Sequence, residues 1–383
     1  MAHLNLDLLL TETGYKPTTN QRFRVYLTNS LEEHHPDTGT LFANWLSSEA
    51  NEANHIKRDT PVMCVIGNPP YSGESSNKGE WIMKLMEDYK KEPGGKEKLK
   101  ERNPKMVNDD YVKFIRYGQH FIEKNGEGIL AFINPHGFLD NPTFRGMRWH
   151  LLKTYDKIYT IDLHGNSRKK ETAPDGSPDQ NVFDIMQGVS INIFVKTGKK
   201  KPNELGKVFH YDLFGKRDFK YDFLNKNSIQ SIQFNELIYE NPMYYFVQID
   251  YKLKKQYDEG LGIFELFNTL SSGVKTSNDK YLVSFAKNEL SKKISDFFKI
   301  EPDLSLIQNY GYKPFIDKYI YYDDALIGRS RKDFMSNFIE KDNYTICLMR
   351  NLVNTEIYNT VFITKSGTSY EIKLLPKVKV EMV

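Results

Sequence analysis

Asn68, Pro69, Pro70 and Tyr71 follow the apolar run PVMCVIG and bring together residue types suited to a planar heterocycle that carries an exocyclic amino group. Two consecutive prolines fix φ and remove two backbone N–H groups, so the segment can neither extend a sheet ladder nor enter a helix. Its carbonyls stay available as acceptors. An amino group can donate to the Asn68 side-chain oxygen and to the Pro69 carbonyl while the ring stacks on Tyr71, and Gly67 lets a ligand or backbone come close. The alternative is a rigid Pro-Pro turn with an incidental Asn and Tyr. The place of the block, directly after a strand-like run, favours a site, because ligands of open α/β sheets bind at the carboxyl ends of strands.

The elements that must position this block follow from periodicity. Leucines at 4, 8 and 10, closed by Gly14, predict a helix over residues 2–13. QRFRVYLTNSLEE alternates through Phe23, Val25 and Leu27, which predicts a strand ending at Thr28–Asn29–Ser30. A polar loop is expected from about residue 32 to 59, its His34, His35 and Asp37 reading as solvated rather than metal-binding. After Tyr71 come a Gly/Ser/Asn loop and the helices WIMKLMEDYKK and MVNDDYVKFIRYGQHFIEKN, separated by a basic surface excursion from Lys90 to Lys105. GILAFINPHGFL is an apolar strand that breaks at Pro135 on the same edge as Asn68 if the strands are parallel. TFRGMRWHLLKTY predicts a helix, and KIYTIDLH and GVSINIFVKTG predict strands. The last strand is entered through the long loop HGNSRKKETAPDGSPDQNVFD rather than a helix, so it is expected to be antiparallel. That loop reads either as a lid or phosphate-contacting flap or as plain surface.

Strands alternating with helices to about residue 205 describe an α/β domain. From Lys207 the texture changes to short aromatic alternations, giving a connecting segment over 206–261 and a mixed α+β domain over 262–383, in which NELSKKISDFFK is the helix. With 383 residues, 39% hydrophobic and 27% charged, the composition is globular and excludes disorder or fibre. A net charge of +3 accords with a nucleic-acid partner without requiring one. Cys64 and Cys347 lie singly in apolar runs and read as buried thiols, with no metal-ligand spacing. No apolar run approaches the ~18 residues of a membrane helix and no secretory leader is seen, so a cytoplasmic protein is expected.

Taken together, IGNPPY, GILAFINPHGFL, HGNSRKKE…GVSINIFV and YKPFIDKYIYYD…IGRSRKDFM resemble DNA adenine methyltransferases. More closely, they resemble the methyltransferase plus target-recognition region of type ISP restriction–modification enzymes, with type IIG enzymes somewhat further off. The resemblance covers almost the whole chain. It implies a Rossmann-like class I methyltransferase sheet followed by a target-recognition domain. The activity implied is methyl transfer from S-adenosylmethionine to N6 of an adenine flipped out of double-stranded DNA. Carried onto this chain, Asn68 and Pro69, with Pro70 shaping the turn, accept the amino protons, and Tyr71 stacks on the base. Phe144 is a candidate for the opposite ring face, with packing on the sheet as its alternative. Asn29 falls where the family often has an acidic residue near the cofactor, and Lys275, Lys280, Arg329, Arg331 and Lys332 are implied DNA contacts.

The pattern departs from the family at the amino end. A strand followed by a DPAxGxGxF-like turn, and an acidic residue after the next strand, are both missing. Gly126–Gly128 opens a strand and Gly260–Gly262 lies in the later region. The sheet is therefore expected to lack its first strands, and S-adenosylmethionine binding by this chain alone is expected to be weak or nil. An upstream polypeptide would supply the cofactor loop and the nuclease and helicase modules. Two other readings stand beside this one: a catalytically inactive DNA-recognition fragment or subunit, and a remnant that does not fold stably.

Overall fold

Four of the apolar runs become neighbouring strands in the computed structural model, which describes residues 2–16, 23–34, 44–73, 75–101, 104–260, 262, 265, 271–313, 316–348 and 361–369. They divide into two units, Met1–Tyr251 and Lys252–Val383. In the first unit the strands are β1 (Cys64–Gly67), β2 (Gly128–Pro135), β3 (Lys157–Asp162), β4 (Val189–Lys196), β5 (Lys207–Asp212) and β6 (Asn235–Glu236). Their order across the sheet is β1-β2-β4-β3-β5-β6. β1 is parallel to β2 and β3 to β5, whereas β4 runs antiparallel to both β2 and β3, as its loop entry implied. β1, β2, β3 and β5 therefore end on the same edge.

The helices follow the apolar spacing. Helix α1 (Ala2–Glu12) ends before Gly14, whose φ of +77° closes it in the left-handed region. Helix α3 (Glu80–Met86) buries Ile82 and Met86, helix α4 (Asp110–Asn125) buries Val112, Ile115 and Ile122, and helix α5 (Arg145–Thr154) buries Met147, Leu151 and Leu152. With Leu130, Phe132, Ile158, Phe194 and Val208 from the strands these side chains form the main core.

Several expectations are corrected. The described part of QRFRVYLT forms no strand, and Leu27 is 92% exposed. Alternation fixes which side chains share a face, but a strand also needs a partner edge for its backbone groups. The polar stretch contains helix α2 (Asn44–Asp59), which carries Lys57 and Arg58 in its last turn, while His35 and Asp37 lie outside the described residues. The boundary expected at residue 205 is not there, because β5 joins the first sheet beside β3 and the unit runs on to Tyr251. Cys64 is exposed and Cys347 half-buried, so neither is the fully buried thiol expected. The long loop after β3 is anchored rather than floppy: Lys220 pairs with Asp179 at 2.8 Å with both side chains fully buried.

In the second unit, β7 (Val283–Ser284), β8 (Ile307–Lys313), β9 (Ile316–Tyr321) and β12 (Gly367–Thr368) form a sheet in the order β12-β8-β9-β7. Helix Lys287–Phe298 buries Leu290 and Ile294 in its core, with Ile307, Tyr310, Ile320 and Tyr321. β10 (Thr345–Leu348) and β11 (Val361–Thr364) pair separately. Among the described residues no helix is long and apolar enough to cross a membrane.

Candidate functional site

The strand ends carry the site. Residues 64–67 extend in register with 129–132, and the prolines stop that ladder immediately beyond Gly67. Asn68 is left exposed, Pro69 is buried, and Tyr71 is half-buried against the core. The Tyr71 hydroxyl reaches the Asn68 side-chain oxygen at 2.7 Å and the Ile133 carbonyl of β2 at 3.1 Å. Burial pushes the Tyr71 hydroxyl up to about 12, so it stays a neutral donor. The acceptor that the sequence reading assigns to an incoming amino group is thus held by the neighbouring hydroxyl. An incoming amino donor can take its place by an exchange of hydrogen bonds.

The loop leaving the block is pinned to the start of α4. Ser72 N–H donates to Asp109 at 3.0 Å, and Asn77 donates to Asp110 at 3.1 Å. The Ser75 hydroxyl donates to Asp110. Lys113, only 1% exposed, donates to Ser75 Oγ at 2.5 Å and to the Asn77 carbonyl. Each link satisfies a buried polar group, which fixes where the Asn68–Tyr71 turn points.

Beyond β2, the loop His136–Asn141 is held from beneath by Arg148 of α5. Its guanidinium is fully buried and donates to the carbonyls of Phe138 and Asn141 at 2.8 Å and to that of Met243 at 2.7 and 2.9 Å. Burial pulls Arg148 down to about 10, still far enough above neutrality to keep its charge. Phe144, at 1% exposure, belongs to the main core, so the structure places it in the packing role and not at a base-stacking face. Asn29 is exposed and engaged locally: its side-chain amide donates to Glu32 at 2.9 Å and its oxygen accepts from Leu31 N–H at 3.1 Å.

The second unit gathers its basic candidates unevenly. Lys275 and Arg329 face one another across an isolated antiparallel bridge, with backbone bonds of 3.1 and 2.9 Å. Arg331 adopts a φ of +56° and donates to Ser272 Oγ at 2.7 Å, and Lys332 pairs with Asp324 at 2.7 Å on the surface. Lys280, also exposed, lies 5.1 Å from the centre of the Tyr281 ring.

Sequence reasoning missed a polar group on the same edge as Asn68: His136 after β2, Asp162 and His164 at the end of β3, Glu171 in the following loop, and Asp212 ending β5. Their signal was available, since each aspartate or histidine sits within two residues of a strand end. They line a cavity of about 210 Å³ together with Leu139, Asp140, Lys169, Val247 and Gln248. Burial works against a charge on His164, but Asp212, Glu171 and Asp162 outweigh it and raise His164 to about 9.

S-adenosylmethionine needs a glycine turn open to a ligand and a free polar group beside it. Gly126 and Gly128 make a helix-to-strand turn with φ of +93° and +147°, and a Cβ on Gly128 would lie 2.5 Å from the Met63 carbonyl. That turn is filled by backbone and cannot cradle a ligand, and Asn29 is spent on its own turn. The described residues do not fit the methyl donor.

Residues 4–168 match the Eco57I restriction-modification methylase family, and residues 299–372 match the Type ISP C-terminal specificity domain. Among solved structures, the DrdV–DNA complex aligns over 96% of this chain and 40% of that one, with a TM-score of 0.66 and 20% identity. The ATP-dependent Type ISP restriction-modification enzyme LlaBIII, bound to DNA, covers 91% of this chain and 26% of its own, with a TM-score of 0.62 and 21% identity. A nuclease-deletion mutant of the Type ISP enzyme LlaGI, in complex with a DNA substrate mimic, covers 96% and 34%, with a TM-score of 0.65 and 19% identity. At these identities the likeness is one of fold, and the chain spans less than half the length of each. No curated protein matches the chain.

Proposed function

From a chain that joins an Eco57I restriction-modification methylase domain to a Type ISP C-terminal specificity domain, we propose the recognition of duplex DNA and of an adenine flipped into the Asn68–Tyr71 turn. The activity served is N6-adenine methylation within a restriction–modification system. The observation that carries this reading is the turn itself, set at the carboxyl end of β1 with the Asn68 oxygen within 2.7 Å of a hydrogen-bond donor. A flipped adenine offers its amino group in place of the Tyr71 hydroxyl and lays its ring on the tyrosine face. Unstacking a base costs a few kcal/mol, and stacking on an aromatic returns about 1–3 kcal/mol. Lys275, Lys280, Arg329, Arg331 and Lys332 would meet phosphates or base edges. The methyl donor has no fitted site among the described residues, so no transfer step is derived; a second polypeptide carrying the donor loop would complete the reaction.

The test begins by selecting duplexes bound by the purified chain from a random pool, then replacing each adenine of the selected site with 2-aminopurine. One position should brighten on binding, and Tyr71→Ala should abolish the rise while leaving gross DNA affinity nearly intact. DNA binding with no brightening at any position, unchanged by Asn68→Ala and Tyr71→Ala, would leave a non-catalytic recognition module as the function. Calorimetry showing micromolar S-adenosylmethionine binding by this chain would overturn the statement about the donor.

A further inference from the structure

The cavity at the ends of β2, β3 and β5 contains a set of side chains for which base recognition has no use. One ligand atom from each of His136, His164 and Glu171 lies within 4.8 Å of the other two. Each of the three is held by its remaining polar atom. His136 Nδ1 bonds Asp162 Oδ1 at 2.9 Å, which leaves Nε2 as its ligand nitrogen. His164 Nε2 bonds Asp212 Oδ1 at 2.8 Å, and its Nδ1 is buried without a hydrogen-bond partner among the described residues. Glu171 Oε2 accepts from Asn166 N–H at 2.8 Å, and Oε1 stands 3.6 Å from His164 Nδ1. His164 Nδ1 also lies 3.7 Å from Asp162 Oδ2.

We infer that His136 Nε2, His164 Nδ1 and Glu171 Oε1 form a binding site for a divalent cation of the zinc type. Ligands about 2.1 Å from a tetrahedral metal stand roughly 3.4 Å apart, so the Nδ1–Oε1 separation is already close to the bound value. Two histidines, each with its other nitrogen on an aspartate, repeat the carboxylate–histidine–metal arrangement that fixes ring orientation and raises ligand basicity. The seat is built for this. Gly165, with φ of +80°, approaches Asn181 so closely that a Cβ would stand 2.4 Å from its Cα, and this turn presents His164. A Cβ on Gly188 would lie 2.4 Å from the His136 ring, so only glycine leaves that ring its place. The charge fits as well: Asp162, Glu171 and Asp212 face the pocket, with Lys169 paired to Asp140 at 3.8 Å. A dication would answer this surplus of carboxylates. Asn166 Nδ2, 3.4 Å from His136 Nε2, must turn aside. With three protein ligands, a fourth position stays open toward the cavity for water.

The experiment is zinc titration calorimetry on the full chain after chelator treatment, with cobalt substitution to report tetrahedral nitrogen and oxygen ligation in the visible spectrum. One equivalent should bind at micromolar or tighter affinity. Glu171→Gln, a half-buried loop residue whose replacement spares the core, should weaken it at least tenfold. Asp162→Asn should weaken it 10–100-fold, and a far-UV spectrum separates that loss from misfolding. No stoichiometric binding by the wild type, or binding that Glu171→Gln and His136→Gln both leave unchanged, overturns the site. Because the readout is metal and not DNA, it stands or falls separately from the base-recognition reading.

Discussion

Replacing Arg148 with methionine tests how the loop that follows β2 is held. The guanidinium makes four hydrogen bonds to three carbonyls, those of Phe138, Asn141 and Met243. Methionine fills much of the same volume but offers no donor, and each buried acceptor left unpaired costs about 1–3 kcal/mol. Relief from burying a charge offsets part of this sum, leaving a net loss of about 3 kcal/mol. With a urea dependence of about 2 kcal/mol per molar, the unfolding midpoint should fall by roughly 1.5 M. Tryptophan fluorescence reports the transition, since Trp149 is the next residue on α5. Two of the orphaned carbonyls belong to the loop that begins at His136, so amide exchange over 136–141 should also accelerate. A loss under about 1 kcal/mol would show that water satisfies the carbonyls and that Arg148 is not the tie proposed.

Tyr71→Phe removes the hydroxyl that occupies Asn68 and keeps the ring, so the preference for adenine over unsubstituted purine, which has no amino group, at the flipped position should rise about two- to tenfold, matching a neutral hydrogen bond of about 0.5–1.5 kcal/mol; a smaller preference would refute the exchange. Arg145 grips Glu92 with bonds of 2.6 and 2.7 Å and holds its carboxyl down to about 2, below the usual 4.5. The stability from that pair is present above pH 4.5 and lost as pH falls toward 2, so Arg145→Met should lower the melting temperature at neutrality and flatten its dependence on pH across that window. Changing both Arg329 and Lys275 to alanine should weaken DNA binding and reduce the slope of log affinity against log salt by about two.

Much of this arrangement was legible because apolar periodicity and proline chemistry are local. GILAFINP, KIYTID and VSINIFVK read as strands and fold as strands, since each carries buried side chains that the sheet needs. The reversed direction of β4 was legible from its loop connection. KVFHYD was placed in a connecting segment because its aromatic alternation lacks a flanking helix; only pairing with β3 reveals its place. Residues 23–29 failed for the opposite reason, having the pattern of a strand while pairing with no strand among the described residues. The Asn68–Tyr71 turn was visible as a motif. The histidine–carboxylate set was not, because its members come from three strand ends and a loop that sequence distance keeps apart.

Among the described residues the short strand β1 pairs on one side only, with β2, and Ile66 on it is 80% exposed. An open, apolar strand edge is a template on which other chains can grow, and its danger rises with length. Pro69 and Pro70 cap it after four residues, because neither can donate to an incoming strand. The prolines of the proposed base-binding turn therefore also act as gatekeepers against aggregation. Any variant that replaces both prolines to relax the turn would lengthen the sticky edge, and low solubility in such variants should be read as self-association before it is read as lost function.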